Sequence, residues 1–255
     1  MMLNMIVTGT DTEQPPVLLA HGLFGSGKNL GGLARRLAET RRVISVEMRN
    51  HGDSFHDPDH SYPALADDLA QVIAANGGRA DVLGHSMGGK TAMMLALTRP
   101  ELVRKLVVMD IAPYAYGHTQ TALIDAMEGM DLTGLRLRSE ADARLAATID
   151  EPGVRAFLLQ SLDLKSDPPR WKYNLTALRD QMPLLIGWPD APKGTYDGPT
   201  LFLAGAESDY CREPQLEAIR AYFPQAKMRY FAGAGHWLHA DRPTEVAEAV
   251  AAFLG

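Results

Sequence analysis

ADVLGHSMGGKTAMMLALTRP, Ala80 to Pro100, is the stretch on which the fold turns. ADVLG, Ala80 to Gly84, is an apolar run of strand length, and GKTAMMLALTRP, Gly89 to Pro100, has the period of a helix closed by its proline. Across the junction stands Gly84-His85-Ser86-Met87-Gly88, a G-x-S-x-G motif. A strand that turns directly into a helix throws the middle side chain upward and forces its neighbours together. Glycine at 84 and 88 lets the two elements approach that closely. The helix that follows turns its free N–H groups and the positive end of its dipole toward Ser86. This strand–turn–helix context is what a nucleophile elbow requires, and Ser86 is the candidate nucleophile.

A serine hydroxyl needs a base within hydrogen-bond reach. In the chain order that goes with such an elbow the histidine comes last. His236, in GAGHWLH, directly follows the strand-like KMRYFAG (Lys227 to Gly233) and the flexible Gly233-Ala234-Gly235 turn. It is preferred over His239, three residues on, which reads as a packing residue. Two aspartates compete to orient the imidazole. Asp110 ends KLVVMD (Lys105 to Asp110). Asp209 lies beyond TLFLAG (Thr200 to Gly205), one step past the expected slot, which holds Ser208.

Upstream, HGLFGSGKN (His21 to Asn29) follows the short apolar strand VLLA, Val17 to Ala20. Gly22, Gly27 and Lys28 fit the start of a phosphate-cradling G-x-x-x-x-G-K-[ST] loop, and KLVVMD imitates the strand that ends in a metal-binding Asp. The position that should hold a Mg²⁺-binding hydroxyl is Asn29, however, and a nucleotide site leaves Ser86 and His236 without a role. The other reading uses every segment: the backbone N–H groups of Leu23 and Met87 form an oxyanion hole, with Phe24 beside it as a pocket wall.

Working outward, strands and helices alternate: helix Leu30–Thr40, strand Val43–Met48, helix Tyr62–Asn76, the elbow, strand Lys105–Asp110, then strand Thr200–Gly205, a helix from Pro214 to Tyr222, strand Lys227–Gly233 and helix Pro243–Leu254. The pattern predicts an α/β fold with a doubly wound, mostly parallel sheet, whose ligands bind beyond the carboxyl ends of the strands. The rhythm breaks between Ala112 and Gly198, a proline-punctuated interval with helix-like pieces and no good strand. It reads as a helical cap, residues 112–198, inserted into a core made of 1–111 and 199–255. Its Trp171, Tyr173 and Trp188 line an acyl pocket or pack cap against core.

Composition narrows the function classes. The chain has 255 residues, 46% of them hydrophobic, enough for a large buried core. A net charge of −6 argues against nucleic acid as a partner. Neither a signal-peptide-like N-terminus nor a membrane-spanning apolar stretch is present, and the single cysteine, Cys211, fits a reducing compartment, so a cytoplasmic protein is expected. HGDSFHDPDH, His51 to His60, carries three histidines and three aspartates but no recognisable zinc spacing. It reads as a solvated loop beside the cleft, with Arg49 and Asn50 making local hydrogen bonds, and no metal is expected.

HGLFGS, MRNHG (Met48 to Gly52), GHSMGGK, MDIAP (Met109 to Pro113) and GAGHWLHA together resemble the α/β-hydrolase superfamily, and within it the YbfF-type bacterial serine esterases and their mitochondrial relatives. The resemblance covers essentially the whole chain. It implies a serine carboxylesterase with a small helical cap, no cofactor, and Asp110 as the acid; the expected substrates are small to medium acyl esters, or thioesters. Asp209 is a departure, standing where those relatives often lack a carboxylate. A catalytically silent receptor built on the same fold is the competing class, disfavoured by the intact serine and histidine.

Overall fold

The computed structural model describes residues 1–188 and 192–255; Pro189, one of the prolines of the inserted interval, lies outside them. The strands are β1 (Met5–Thr8), β2 (Val17–Ala20), β3 (Val43–Val46), β4 (Ala80–His85), β5 (Val103–Met109), β6 (Leu162–Asp163), β7 (Arg170–Trp171), β8 (Thr200–Gly205) and β9 (Ala226–Phe231). Among them run helices α1 (Gly31–Leu37), α2 (Tyr62–Ala74), α3 (Met87–Thr98), α4 (Thr121–Gly129), α5 (Arg138–Leu145), α6 (Pro152–Leu159), α7 (Leu175–Asp180), α8 (Met182–Ile186), α9 (Gln215–Tyr222), α10 (Leu238–Asp241) and α11 (Pro243–Leu254).

Seven strands form one sheet in the order β1-β3-β2-β4-β5-β8-β9. All neighbours are parallel except β1, which lies antiparallel on β3. The sequence pattern does not announce β1: it has four residues at a sheet edge, none fully buried, and the apolar run Met5 to Val7 is too short to show a period. The central strands β2, β3, β4 and β8 are buried along their whole length, and mostly apolar, because both faces are covered. Alternate residues go to opposite cores. Leu18, Leu106, Val108 and Phe202 pack on one side with α2, α3 and α9; Val17, Leu19, Val107, Leu201 and Leu203 pack on the other with α1 and α11. α3 is the central helix, buried continuously from Met87 to Ala96, so it carries no polar face. Truncating a fully buried residue such as Leu83 to alanine would cost about 2–5 kcal/mol.

The register sets the carboxyl ends of the strands level. Ala20 pairs with Gly84, His85 with Met109, and Met109 with Leu203. Loops leaving β2, β4, β5 and β8 therefore emerge side by side. Between β5 and β8 the chain makes α4 to α8 and a ribbon of β6 and β7. The ribbon was not expected from the sequence, since two residues per strand are too few to show a period. Among the described residues no helix is long and apolar enough to cross a membrane.

Candidate active site

Ser86 sits between β4 and α3 with φ 52° and ψ −118°, a strained conformation for a residue with a side chain. A Cβ at Gly84 would strike the carbonyl oxygen of Gly88, and one at Gly88 would strike that of Ala20, so both glycines are obligatory. α3 begins at Met87, two residues earlier than the sequence pattern suggests, which brings the helix N-terminus directly under Ser86. Met87, as the first helical residue, has no intrahelical acceptor for its N–H.

His236 lies in the loop after β9. Its Nε2 accepts from the Ser86 hydroxyl at 3.1 Å, and its Nδ1–H donates to Asp110 Oδ2 at 2.7 Å. The loop reaches this position because β8 ends in Gly205, where a Cβ would collide with the carbonyl oxygens of Ala234 and Gly235. His85 holds it from below, donating Nε2–H to the His236 carbonyl oxygen at 2.9 Å. Tyr210 stacks on the His236 ring at 4.3 Å between centroids.

Asp110, one residue past β5, is fully buried with φ 50°. Besides His236 it accepts from Gly205 N–H at 3.0 Å and from the Ser208 hydroxyl. The slot after β8 thus holds a serine that serves the aspartate of the neighbouring strand. The Asp209 side chain is 99% exposed and lies 3.9 Å from Arg212. His239 is brought against His85 rather than Ser86, at 4.7 Å between ring centroids. Burial lowers its pKa to about 4, with His236 nearby adding to the effect.

In the loop after β2, the N–H of Gly25 closes a turn on Gly22 O at 2.9 Å, and Phe24 has φ 58°. The Leu23 N–H has no protein acceptor among the described residues. The Asn29 side chain folds back to accept from Ser26 N–H at 2.5 Å, and Lys28 is exposed. The expectation of a solvated loop from His51 to His60 fails at two of its three histidines, because His51 and His60 are buried beneath this segment with their ring nitrogens hydrogen-bonded, while His56 is exposed. Arg49 and Asn50 do make local bonds, Arg49 holding buried Asp68 through two nitrogens at 2.6 and 2.8 Å. Cys211 is buried, which raises its thiol pKa and keeps it protonated.

Residues 17–249 match the family model described as "Alpha/beta hydrolase family". The chain is an α/β hydrolase. It is 40% identical over 253 residues to the mouse sn-1-specific diacylglycerol lipase ABHD11, covering 96% of this chain and 82% of that protein. It is 39% identical to Esterase YbfF of Escherichia coli (strain K12), covering 94% of this chain and 92% of that one. The solved structure of a "Marine microorganism esterase" superposes with a TM-score of 0.93 at 34% identity, covering 99% of both chains. These relatives are named as esterases and lipases, and this α/β hydrolase is a hydrolytic enzyme of the same kind.

A cavity of about 340 Å³ opens beside Ser86, lined by Leu23, Phe24, Met87 and His236 and roofed by inserted residues that include Phe157, Met182 and Leu185. Trp171 and Trp188, candidates for its wall, lie outside it. Trp171 donates Nε1–H to Met127 O at 3.0 Å and stacks on Tyr173; Trp188 packs against Tyr62 and Tyr222. Their apolar bulk is spent within the insertion and against the core. The sequence reading missed Phe157 and Trp237, which do line the cavity and meet ring to ring at 5.4 Å. Trp237 carried a signal, being the residue after His236.

Lys90, four residues after Ser86, is also buried and lines the cavity. Its ammonium donates to the carbonyl oxygens of Ile186 at 3.1 Å and Gly187 at 2.5 Å, and lies 4.9 Å from the centre of the Tyr116 ring. Burial lowers its pKa to about 7. The elbow helix thereby holds the C-terminal end of α8, whose residues form part of the cavity wall, by the favourable meeting of a cation with a helix C-terminus.

Proposed function

We propose that this enzyme is a serine carboxylesterase that cleaves small to medium acyl esters through an acyl-enzyme on Ser86. The observation that carries the reading is the continuous Ser86–His236–Asp110 hydrogen-bond line at the mouth of a largely apolar cavity. Ser86 Oγ attacks the acyl carbonyl carbon while its proton passes to His236 Nε2. Negative charge develops on the carbonyl oxygen, where the N–H groups of Leu23 and Met87 receive it. The tetrahedral species collapses, and Nε2–H protonates the departing alcohol. Water then gives a proton to Nε2 and attacks the acyl-enzyme, releasing the carboxylic acid and restoring Ser86. Asp110 keeps the proton of His236 on Nδ1, so that Nε2 faces the serine as an acceptor. The insertion acts as a cap that supplies the acyl-binding wall, and no cofactor takes part in any step.

The names of the relatives support ester substrates. A fluorophosphonate probe tests the reading. It should label the native enzyme covalently and fail to label Ser86→Ala; a well-folded native protein that takes no label and gives no burst from a p-nitrophenyl ester is a silent receptor instead. An acyl-chain series on oxygen esters and matched thioesters ranks the two substrate classes.

A further inference from the structure

Resting on the oxyanion role given above to Leu23, we propose that His21 and His51 are positioning residues, a pair of neutral imidazoles that aim the Leu23 amide at the reacting carbonyl. A trans peptide is a rigid plane, so fixing its C=O fixes the direction of its N–H. The N–H of Leu23 shares its plane with the carbonyl of Gly22. That oxygen accepts from His21 Nδ1–H at 2.8 Å and from Gly25 N–H at 2.9 Å. The next plane is held by its N–H, since Phe24 N–H donates to His51 Nε2 at 3.1 Å. The third is held by its C=O, because Tyr173 Oη–H donates to Phe24 O at 2.7 Å. Three consecutive planes around the proposed donor are each pinned by a buried side chain, and the segment is kept at the unfavourable φ of 58° at Phe24.

The anchors are themselves fixed. His21 Nε2 accepts from Met48 N–H at 3.0 Å, and His51 Nδ1–H donates to Arg49 O at 2.9 Å. Each ring therefore has one protonated nitrogen and one acceptor, and burial keeps both neutral, lowering His21 to about 4 and His51 to about 3. A second proton on either ring would set a donor against a backbone N–H. Tyr173 comes from the insertion and bridges to His51 in a short antiparallel pairing, so the same clamp joins the inserted segment to the oxyanion loop. Polar residues this deeply buried would be a poor choice for packing alone.

The test compares His21→Asn with His21→Leu and His51→Gln with His51→Leu on a p-nitrophenyl ester, together with inhibition by a trifluoromethyl ketone that forms a tetrahedral adduct. Asparagine Nδ2 stands in for imidazole Nδ1 as donor, and glutamine Oε1 for Nε2 as acceptor. The leucine variants should lose about 10²–10³ in kcat with KM little changed, weaken the ketone in parallel, and be largely rescued by the amide variants. Folded leucine variants with native kcat, or with raised KM alone, overturn the proposal. If the leucine variants do not fold, Tyr173→Phe decides: a several-fold fall in kcat at constant KM supports the clamp, and an unchanged kcat refutes it. Ser86→Ala runs alongside. Covalent labelling of that variant, or turnover near the native rate, would sink the esterase reading itself, an outcome distinct from normal kcat in the histidine variants.

Discussion

Replacing Asp110 by asparagine is the sharpest single perturbation of this site. The carboxylate receives Gly205 N–H on Oδ1, and the Ser208 hydroxyl and His236 Nδ1–H on Oδ2. An asparagine must put its NH₂ at one of those two places. Placed at Oδ1, it opposes a backbone N–H that cannot change its role, leaving buried donors face to face at about 1–3 kcal/mol. Placed at Oδ2, it meets a hydroxyl that can rotate to accept and an imidazole that can move its proton to the other nitrogen. The second arrangement is favoured, and it leaves His236 with Nε2–H pointing at Ser86, unable to take a proton. Substituting amide for acid in a triad of this design lowers kcat about 10⁴-fold, or about 5.5 kcal/mol at 1.36 kcal/mol per tenfold. The assay is kcat on p-nitrophenyl butyrate for Asp110→Asn and Asp209→Asn, each checked for native circular dichroism. Asp209, almost wholly in solvent, should give native rates. A loss from Asp209→Asn that matches or exceeds that from Asp110→Asn refutes the assignment, as does a folded Asp110→Asn enzyme within tenfold of native.

The buried histidines make stability acid-sensitive. His21, His51 and His239 are held neutral with values of about 4, 3 and 4, whereas the unfolded chain protonates them below about 6.5. Their contribution is complete above pH 6.5 and is lost as pH falls toward 4, each group giving a slope of up to ~1.4 kcal/mol per pH unit; a melting temperature that does not fall between pH 7.5 and 5 contradicts this. In Lys90→Met, Tyr62 Oη–H and Tyr116 N–H still hold the carbonyls of Leu185 and Ile186, and Gly187 O is the one released. α8 should shift without unfolding and widen the cavity, raising the kcat/KM ratio of decanoyl over butyryl ester by about tenfold; an unaltered chain-length profile shows that Lys90 does not shape the pocket. Phe157→Ala should raise KM for medium-chain esters about tenfold through lost apolar contact, whereas Trp171→Phe, outside the cavity, should leave KM alone; the reverse ranking would move the binding wall to the tryptophans.

The sheet and the elbow were legible because their physics is local: apolar runs between helix-period segments, and a serine between two glycines where a strand becomes a helix. The acid was not. Asp110 and Asp209 both follow strands, and their choice depends on β5 lying beside β8, so that a carboxylate after one strand meets a serine after the other. That adjacency is a tertiary fact. His51 and His60 misled for a related reason, since a polar string reads as solvated until the backbone groups that occupy it are known. The tryptophans stayed ambiguous between pocket and packing because aromatic bulk shows that a side chain will be covered, not which side of the insertion covers it.

What sequence hides most completely here is strain. Among the described residues, the non-glycine positions with positive φ are Phe24, Asn50, Ser86 and Asp110. Each lies just beyond the carboxyl end of a different strand, β2, β3, β4 and β5, and those four strands are neighbours in the sheet. Each costs on the order of 1–3 kcal/mol and persists only where surrounding bonds over-determine it. Those bonds are present: His51 and Tyr173 hold Phe24, His60 and Asp57 hold Asn50, Met109 O receives the N–H of Ser86, and Leu203 O receives that of Asp110. A glycine at any of the four would relieve the conformation, and the chain uses none. At Ser86 and Asp110 the side chains so held are the two ends of the hydrogen-bond line through His236. At Phe24 and Asn50 they provide a wall of the cavity and the bonds beneath the loop after β2. The strain is concentrated at the carboxyl ends of four adjacent strands, where a rigid scaffold holds side chains in directions that relaxed backbone does not supply.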